Sequence, residues 1–221
     1  MQARLVIFDC DGVLVDSDRI SLRIQAERIT ALGLPTTYED CVRDYLGLGM
    51  PATLRILEER LGGPLPVGWE EDLAAAVEEA FRRELRPVAG VAAALDAIEA
   101  AGLPTCVASS GSQAKMALTL GLTGLRERFE GRIFSAAEVA RGKPAPDLFL
   151  HAAARMAAAP ERCVVVEDSP AGAAAAAAAG MAALGYAPED DGVSLAAELA
   201  GAGAHVFTSM DELPALLRLT A

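Results

Sequence analysis

Short apolar runs alternate with alanine-rich segments along most of the chain, and this alternation constrains the fold more than any other feature. The runs lie at residues 4–8, 105–108, 163–166, 181–184 and 205–207, and segments of helical character lie at 111–121, 146–157, 170–180, 194–201 and 210–218. The runs do not alternate apolar with polar residues, which is typical of strands buried on both faces of a parallel sheet. The pattern therefore predicts an α/β fold with a doubly wound, Rossmann-like parallel sheet.

One long interval contains helical periodicity only. From residue 16 to residue 86 apolar residues recur at helical spacing, as at Leu54, Leu57 and Leu61, and we identify no buried strand. We therefore predict a small all-helical cap domain at residues 16–86, inserted into a Rossmann-like catalytic core of residues 1–15 and 87–221. We expect the cap to lie over the carboxyl edge of the sheet, where ligands of such sheets bind.

Composition narrows the classes of partner. The 221 residues are 52% hydrophobic, which supports a buried core, and their net charge of -12 disfavours nucleic acid and anionic membrane surfaces. The sequence starts MQARLVIFDCDG, whose apolar stretch is too short for a signal peptide, and no later window is apolar enough to span a membrane. The four cysteines are widely spaced without a C-x-x-C pair. These features predict a cytoplasmic protein, and we expect a monomer.

Acidic residues directly follow two of the predicted strands. Asp9 and Asp11 follow the first strand, and Glu167 and Asp168 follow a later one. The carboxyl ends of parallel strands meet at one edge of the sheet, so we expect these side chains to converge there. Oxygen ligands of this kind suit Mg²⁺, which makes Asp9, Asp11 and Asp168 candidate metal ligands. Capping of the adjoining loop or helix is the alternative role for each pair of acids.

Two further segments have the chemistry of a phosphate site. Ser109 and Ser110 end a predicted strand and open a helix, where hydroxyls and free backbone N–H groups can hold an anion, although a helix cap is the alternative. Lys143 is one of only two lysines in a chain with 17 arginines. Its compact ammonium group suits a position among phosphate oxygens and carboxylates. Both segments indicate a site for an anion such as a phosphate group.

Four motifs in order resemble those of the haloacid dehalogenase superfamily. They are DCDGVLVDS, VASSG, GKPAPDLF and VVVEDSPAGAAAA, and the resemblance covers most of residues 1–185. The helical insertion is similar to the smaller helical cap of that superfamily. Within it, the chain looks most like the group of sugar-phosphate phosphatases and β-phosphoglucomutase relatives, which includes 6-phosphogluconate phosphatases. The resemblance implies a Mg²⁺-dependent phosphoric monoester hydrolase that acts through an aspartyl-phosphate on a sugar phosphate or sugar-acid phosphate.

The same resemblance implies roles for individual residues. Asp9 would be the nucleophile and Asp11 the acid/base, while Ser109, with Ser110 beside it, and Lys143 would hold the phosphate group. Mg²⁺ would bind Asp9, the Asp11 carbonyl and Asp168, with direct ligation by the neighbouring Glu167 left open.

Two other functions remain as alternatives. A β-phosphoglucomutase-type mutase would carry a histidine shortly after the first motif and basic residues in the cap loop. Residues 16–21 contain no histidine, and residues 47–51 contain no basic residue. Arg19, Arg23 or Arg55 could still supply a second anion site, and with Tyr45 and Leu48 they are candidate selectivity residues. We expect His151 and His205 to be surface or core-edge residues rather than catalytic ones. The second alternative is an inactive phosphometabolite-binding module, which the retained charged residues disfavour.

Overall fold

A sheet of six parallel strands forms the centre of the protein in the computed structural model, which describes residues 3–188 and 195–218. The strands are β1 (Leu5–Phe8), β2 (Thr105–Ser109), β3 (Ile133–Ser135), β4 (Cys163–Glu167), β5 (Ala182–Tyr186) and β6 (His205–Phe207), in the spatial order β3-β2-β1-β4-β5-β6. Every pairing in the sheet is parallel. The predicted doubly wound α/β class is confirmed, and β1 occupies a central position.

Ten α-helices accompany the sheet in the described residues. They are α1 (Ser17–Ala31), α2 (Tyr38–Tyr45), α3 (Met50–Leu61), α4 (Trp69–Glu84), α5 (Val91–Ala100), α6 (Gln113–Leu122), α7 (Asp147–Arg155), α8 (Pro170–Ala178), α9 (Ala196–Gly201) and α10 (Leu213–Leu216). Two helices that begin at the carboxyl edge of the sheet start on serine caps. Ser112 accepts a hydrogen bond from the Lys115 N–H, and Ser169 accepts one from the Gly172 N–H.

Strand β1 is buried on both of its faces. Val6 and Phe8 belong to a core that also contains residues of α5 and of the helices before it, whereas Leu5 and Ile7 pack in a second core with α7 and α8. All four side chains are at most 1% exposed. Burial on both sides explains why this strand is an unbroken apolar run.

The polypeptide leaves the first strand region and returns to it at one place. Between β1 and α5 the regular elements are the helices α1–α4. The Asp16 N–H donates to the Arg86 carbonyl at 3.0 Å, and the Val88 N–H donates to the Leu14 carbonyl at 3.1 Å. Val15 and Pro87 form an isolated antiparallel bridge between these bonds. The outgoing and returning segments therefore run side by side at the edge of the helical insertion.

The observed elements differ from the predicted ones in three places. Strand β3 was not predicted, because three residues give too short an apolar run. Helix α5 was also missed, since residues 91–100 were not among the predicted helical segments. The predicted helix at 210–218 is a 3₁₀ turn followed by α10. Residue 194, at the start of the predicted helix 194–201, lies outside the described residues, and α9 begins at Ala196.

Within residues 3–188 and 195–218, no helix combines the length and the apolar character that crossing a membrane requires.

Candidate active site

The predicted strand-end residues lie together at the carboxyl edge of the sheet. The register pairs Phe8 of β1 with Val107 of β2 and Val166 of β4, so the three strands end nearly level. The Asp9 N–H continues this ladder by donating to the Val166 carbonyl at 2.9 Å. The next residues of β1 and β4, Asp9 and Glu167, therefore emerge side by side.

Lys143 lies between the carboxylates that follow β1 and β4. Its Nζ donates to Asp9 Oδ1 at 2.5 Å and also to Glu167 Oε1. The lysine side chain is only 2% exposed, and its Nζ lies 5.0 Å from the centre of the Phe149 ring. Although burial favours the neutral amine, the two carboxylates outweigh it and raise the pKa of Lys143. A permanent positive charge is thus fixed beside Asp9.

Glu167 holds the site together on its other side. Its Oε2 accepts hydrogen bonds from the N–H groups of Asp168 and Ser169 and from the Ser169 hydroxyl. A Cβ at Gly172 would lie 1.9 Å from the Glu167 carboxylate, so helix α8 approaches it closely enough to require glycine. Both Glu167 oxygens are engaged by protein groups, which makes this residue a positioning residue for Lys143 and for the start of α8.

Asp11 lies in a separate group of charges. Lys115 Nζ is 2.9 Å from Asp11 Oδ1, and the Ser17 hydroxyl donates to the same oxygen. Burial acts to raise the pKa of Asp11, but the Lys115 charge and the Ser17 hydrogen bond together lower it below the ordinary value. The turn that follows Asp11 uses Gly12 at a φ of 71°, where a Cβ would collide with the Asp168 carboxylate.

Asp9 has the opposite electrostatic environment. Burial, reinforced by Glu167 and Asp11 and only partly offset by Lys143, raises the pKa of Asp9 to about 8. Burial together with the charges of Asp18 and Glu167 raises the pKa of Asp168 well above its ordinary value. Two neighbouring carboxyls that resist ionisation indicate a site that is short of positive charge.

The donor set at this point suits a hard cation. Asp168 is half-buried, and its carboxylate receives no hydrogen bond or ion pair from the residues in the described ranges. The Asp9 and Asp168 carboxylates are hard oxygen donors of the kind that Mg²⁺ binds, and Mg²⁺ commonly completes its shell with water and phosphate oxygens. No group of three or more His, Cys, Asp or Glu side chains in the described part of the chain is arranged to hold a metal ion. The Asp11 carboxylate in particular is directed to Lys115 and Ser17.

The segment after β2 offers hydrogen-bond donors. Ser109 is 1% exposed, and its hydroxyl accepts a hydrogen bond from the Gly111 N–H at 3.0 Å. The Ser135 hydroxyl donates to the Gly111 carbonyl at 2.7 Å and fixes the loop from the side of β3. Ser110 and the first turn of α6 face the same space, so hydroxyl and backbone N–H groups are available to an anion there.

All of the predicted site residues line one cavity of about 660 Å³ between the sheet edge and helices α1, α3 and α4. They are Asp9, Asp11, Ser109, Ser110, Lys143 and Asp168. Of the candidate cap residues, Tyr45 and Leu48 line the cavity. Arg19, Arg23 and Arg55 are exposed and are not among the described residues that line it. Arg19 pairs with Asp16, and Arg23 pairs with Glu84. His151 lies against Glu138, away from this cavity.

Three residues at the site were not predicted. Lys115 is the second of the two lysines in the chain, so the compositional argument that singled out Lys143 applied to it as well. Ser17 and Asp18 open helix α1, and burial beside Asp11 raises the pKa of Asp18 to about 7. No sequence pattern indicated that the first turn of α1 would fold back over the end of β1.

Residues 3–180 match the haloacid dehalogenase-like hydrolase family, and the chain belongs to this family. It is a phosphoric monoester hydrolase by class. It is 34% identical to a 6-phosphogluconate phosphatase of Escherichia coli (strain K12) over 177 residues, which cover 80% of this chain and 79% of that protein.

Solved structures show the same relationship. A haloacid dehalogenase-like protein of unknown function from Agrobacterium tumefaciens superposes with a TM-score of 0.85 at 33% identity, with 98% of each chain covered. A haloacid dehalogenase family hydrolase from Deinococcus radiodurans, solved with bound phosphate and sodium, superposes with a TM-score of 0.79 at 32% identity, over 98% of this chain and 96% of that one.

Proposed function

We propose that this protein is a Mg²⁺-dependent phosphatase that hydrolyses a small phosphorylated metabolite, a sugar phosphate or sugar-acid phosphate, through an aspartyl-phosphate intermediate. The observation that carries the proposal is the convergence of Asp9, Asp11, Ser109 and Lys143 on one cavity. The phosphatase and phosphate-bound relatives support the substrate class.

The proposed reaction uses Asp9 and Asp11 in two steps. In the first, an Asp9 carboxylate oxygen forms a bond to phosphorus while the ester P–O bond breaks, and Asp11 gives a proton to the leaving alkoxide. Because Lys115 and the Ser17 hydroxyl favour the ionised form of Asp11 in the free protein, Asp11 takes up this proton when the anionic substrate enters the site. In the second, Asp11 takes a proton from a water molecule, which attacks the phosphorus and releases Asp9. Lys143 and Ser109 hold the phosphoryl oxygens throughout, and the rigid pairing of Lys143 with Glu167 keeps its charge in place.

Asp9, Asp168 and the Asp11 main-chain carbonyl would hold the Mg²⁺ ion. When bound, the ion supplies positive charge that offsets the repulsion between the Asp9 carboxylate and the phosphate group. The unpartnered Asp168 carboxylate and the raised pKa of Asp9 support this assignment, because both features are relieved by a cation at the site.

We expect Mg²⁺ to stabilise the fold, and more strongly at higher pH. Asp9 and Asp168 have raised pKa values in the folded, metal-free protein, so the folded state binds more protons than the unfolded state above about pH 4. Their contribution to stability therefore falls as pH rises toward 8, and Mg²⁺, which binds the ionised carboxylates, restores it. Thermal denaturation with Mg²⁺ or EDTA at pH 6 and pH 8 measures the difference.

The Asp168→Ala variant provides the test of location. It should lose both the Mg²⁺-dependent increase in Tm and most of the activity, whereas Asp44→Ala, at a solvent-facing carboxyl on α2, should keep both. An unchanged Mg²⁺ titration in Asp168→Ala would place the ion elsewhere.

We also propose that residues 16–86 act as a cap domain over the core of residues 1–15 and 87–221. The paired segments at Val15 and Pro87 support this division, because both covalent connections cross at one point. A cap at this place would exclude water from the phosphoryl group during the first step. We further propose that the protein acts as a monomer, because one chain by itself brings together the groups that the proposed reaction needs, Asp9, Asp11, Ser109 and Lys143.

The mutase alternative is tested by following two products. A mutase must hold a second phosphate while its substrate turns over, and no arginine or histidine of the described residues lines the cavity. We therefore expect phosphate release from monophosphates without a bisphosphate activator. The assay incubates β-glucose 1-phosphate with enzyme, Mg²⁺ and a trace of the 1,6-bisphosphate. Isomerisation to glucose 6-phosphate much faster than phosphate release would overturn the phosphatase assignment.

A further inference from the structure

Two polar side chains in the cavity wall have atoms without hydrogen-bond partners. They are Ser21 and Gln25, one turn apart on the same face of α1. The Ser21 hydroxyl and the Gln25 Nε2 are both buried without a partner among the described residues, and Gln25 as a whole is only 7% exposed. Burying an unsatisfied hydrogen-bonding group destabilises a fold. Both residues line the cavity, so a ligand that enters it can supply the missing partners after a small rotation of either side chain.

The surrounding helical wall has no positive charge. In the described part of the chain, the lining residues from α1 to α4 are apolar, neutral polar or acidic, and the acids are Asp18, Glu70 and Glu78. Two arginines bond to residues of this wall. Arg82 pairs with Glu78 at 2.5 Å, and Arg60 donates to the Tyr45 hydroxyl at 2.6 Å. Neither guanidinium is among the described groups that line the cavity.

The two lysines of the cavity belong to the opposite wall and already have anionic partners. Lys143 lies between Asp9 and Glu167, and Lys115 lies 2.9 Å from Asp11. A carboxylate or second phosphate at the far end of a substrate would thus meet acidic or neutral groups rather than a free cation. Transfer of such an anion from water into this space is unfavourable without a partner.

We propose that Ser21 and Gln25 form a subsite for an uncharged, polyhydroxylated leaving group, so that the enzyme prefers phosphomonoesters of neutral sugars or sugar alcohols over those that carry a carboxylate. The proposal rests on the phosphatase function and narrows its substrate class. Hydroxyl groups both donate and accept, so they can satisfy the Gln25 amide and the Ser21 hydroxyl together. Rejection of the acid follows from the charge of the wall.

A matched pair of substrates tests this preference. Glucitol 6-phosphate and 6-phosphogluconate have the same chain of hydroxyls and differ at carbon 1, which is a CH₂OH group in one and a carboxylate in the other. We expect kcat/KM at pH 7.5 with saturating Mg²⁺ to favour glucitol 6-phosphate at least tenfold. Equal values, or a preference for 6-phosphogluconate, would overturn the proposal.

Charge variants test the location of the subsite. Gln25→Lys places a cation on the cavity face of α1, and we expect it to shift the kcat/KM ratio toward 6-phosphogluconate at least tenfold. Ala31→Lys adds the same charge on the exposed end of the same helix and should leave the ratio unchanged. Gln25→Met removes the amide at similar size and should lower kcat/KM for glucitol 6-phosphate about tenfold. If Gln25→Lys does not fold, as judged by circular dichroism, the result with Gln25→Met tests the subsite alone. Unchanged kcat/KM values in the folded variants would exclude Gln25 from substrate recognition.

Hydrolysis of p-nitrophenyl phosphate distinguishes failure of the proposed subsite from failure of the proposed phosphatase function. Mg²⁺-dependent hydrolysis of this aryl ester without the expected selectivity would reject the subsite and leave the phosphatase assignment standing. Absence of hydrolysis of all three esters would reject both.

Discussion

Replacement of Asp9 by Asn should reduce turnover by at least about 10³-fold while the fold persists, because an amide of almost the same shape cannot attack phosphorus. Lys143 would keep its ion pair with Glu167, so the buried ammonium group would not be left alone. The substitution also removes a carboxyl that burial holds in its neutral form, and we expect Tm without metal to stay the same or rise. Steady-state hydrolysis of p-nitrophenyl phosphate with Mg²⁺ and a melting curve measure both effects.

A matched carboxyl supplies the control for this experiment. Asp44→Asn makes the same chemical change on the exposed side of α2, and its turnover should equal that of the wild type. Residual activity above about 1% in Asp9→Asn would contradict the role of Asp9 as the nucleophile. Loss of the folded signal would instead indicate that Asp9 acts mainly in the structure.

The second large effect is expected at Lys143. Lys143→Met leaves the buried carboxylates of Asp9 and Glu167 facing each other without a cation, and breaking a buried ion pair in this way costs about 3–5 kcal/mol. We expect Tm to fall by about 10 °C at pH 8 in metal-free buffer, and less at pH 5, where Asp9, whose pKa burial already raises, is protonated and only one unpaired charge is left. Loss of a fixed charge at the phosphoryl group should also lower kcat roughly 10²- to 10³-fold.

Lys115 is the natural comparison, because it is the other lysine of the chain. Its side chain is 33% exposed and pairs with one carboxylate, so Lys115→Met should cost about 1 kcal/mol or less. Equal losses of stability in the two variants would show that burial between two acids does not make Lys143 contribute more to stability than Lys115. Denaturant titration of both variants at pH 8 makes the comparison.

The strand ends could be predicted because their chemistry follows directly from chain order. An apolar run followed by Asp9 or by Glu167 and Asp168 indicates where a buried strand stops, and parallel strands stop at a common edge. The register of β1 with β2 and β4 then brings these residues together.

The rest of the site depends on the directions in which side chains and helix ends point, and no local sequence pattern encodes these directions. Lys115 reaches Asp11 because the first turn of α6 faces the end of β1, and Asp18 reaches the same place from α1. The Arg19, Arg23 and Arg55 side chains were candidates for the cavity by sequence, yet all three are exposed and none lines it. Arg19 lines a neighbouring cavity that shares Asp18 and Asp168 with the site. Strand β3 escaped prediction because three residues carry too little signal to separate a strand from a loop.

The paired crossing at Val15 and Pro87 has a consequence for how such proteins diversify. The ends of the inserted segment are already joined by hydrogen bonds, so the core needs no change in its sheet to receive a different insert there. About 70 residues can be exchanged as one cassette while the residues that follow β1, β2 and β4 keep their positions. Most of the selectivity can then be exchanged apart from the reacting groups: a graft of residues 16–86 from a relative that keeps Ser17, the hydrogen-bond donor to Asp11, should bring the donor's choice of substrate to this chain.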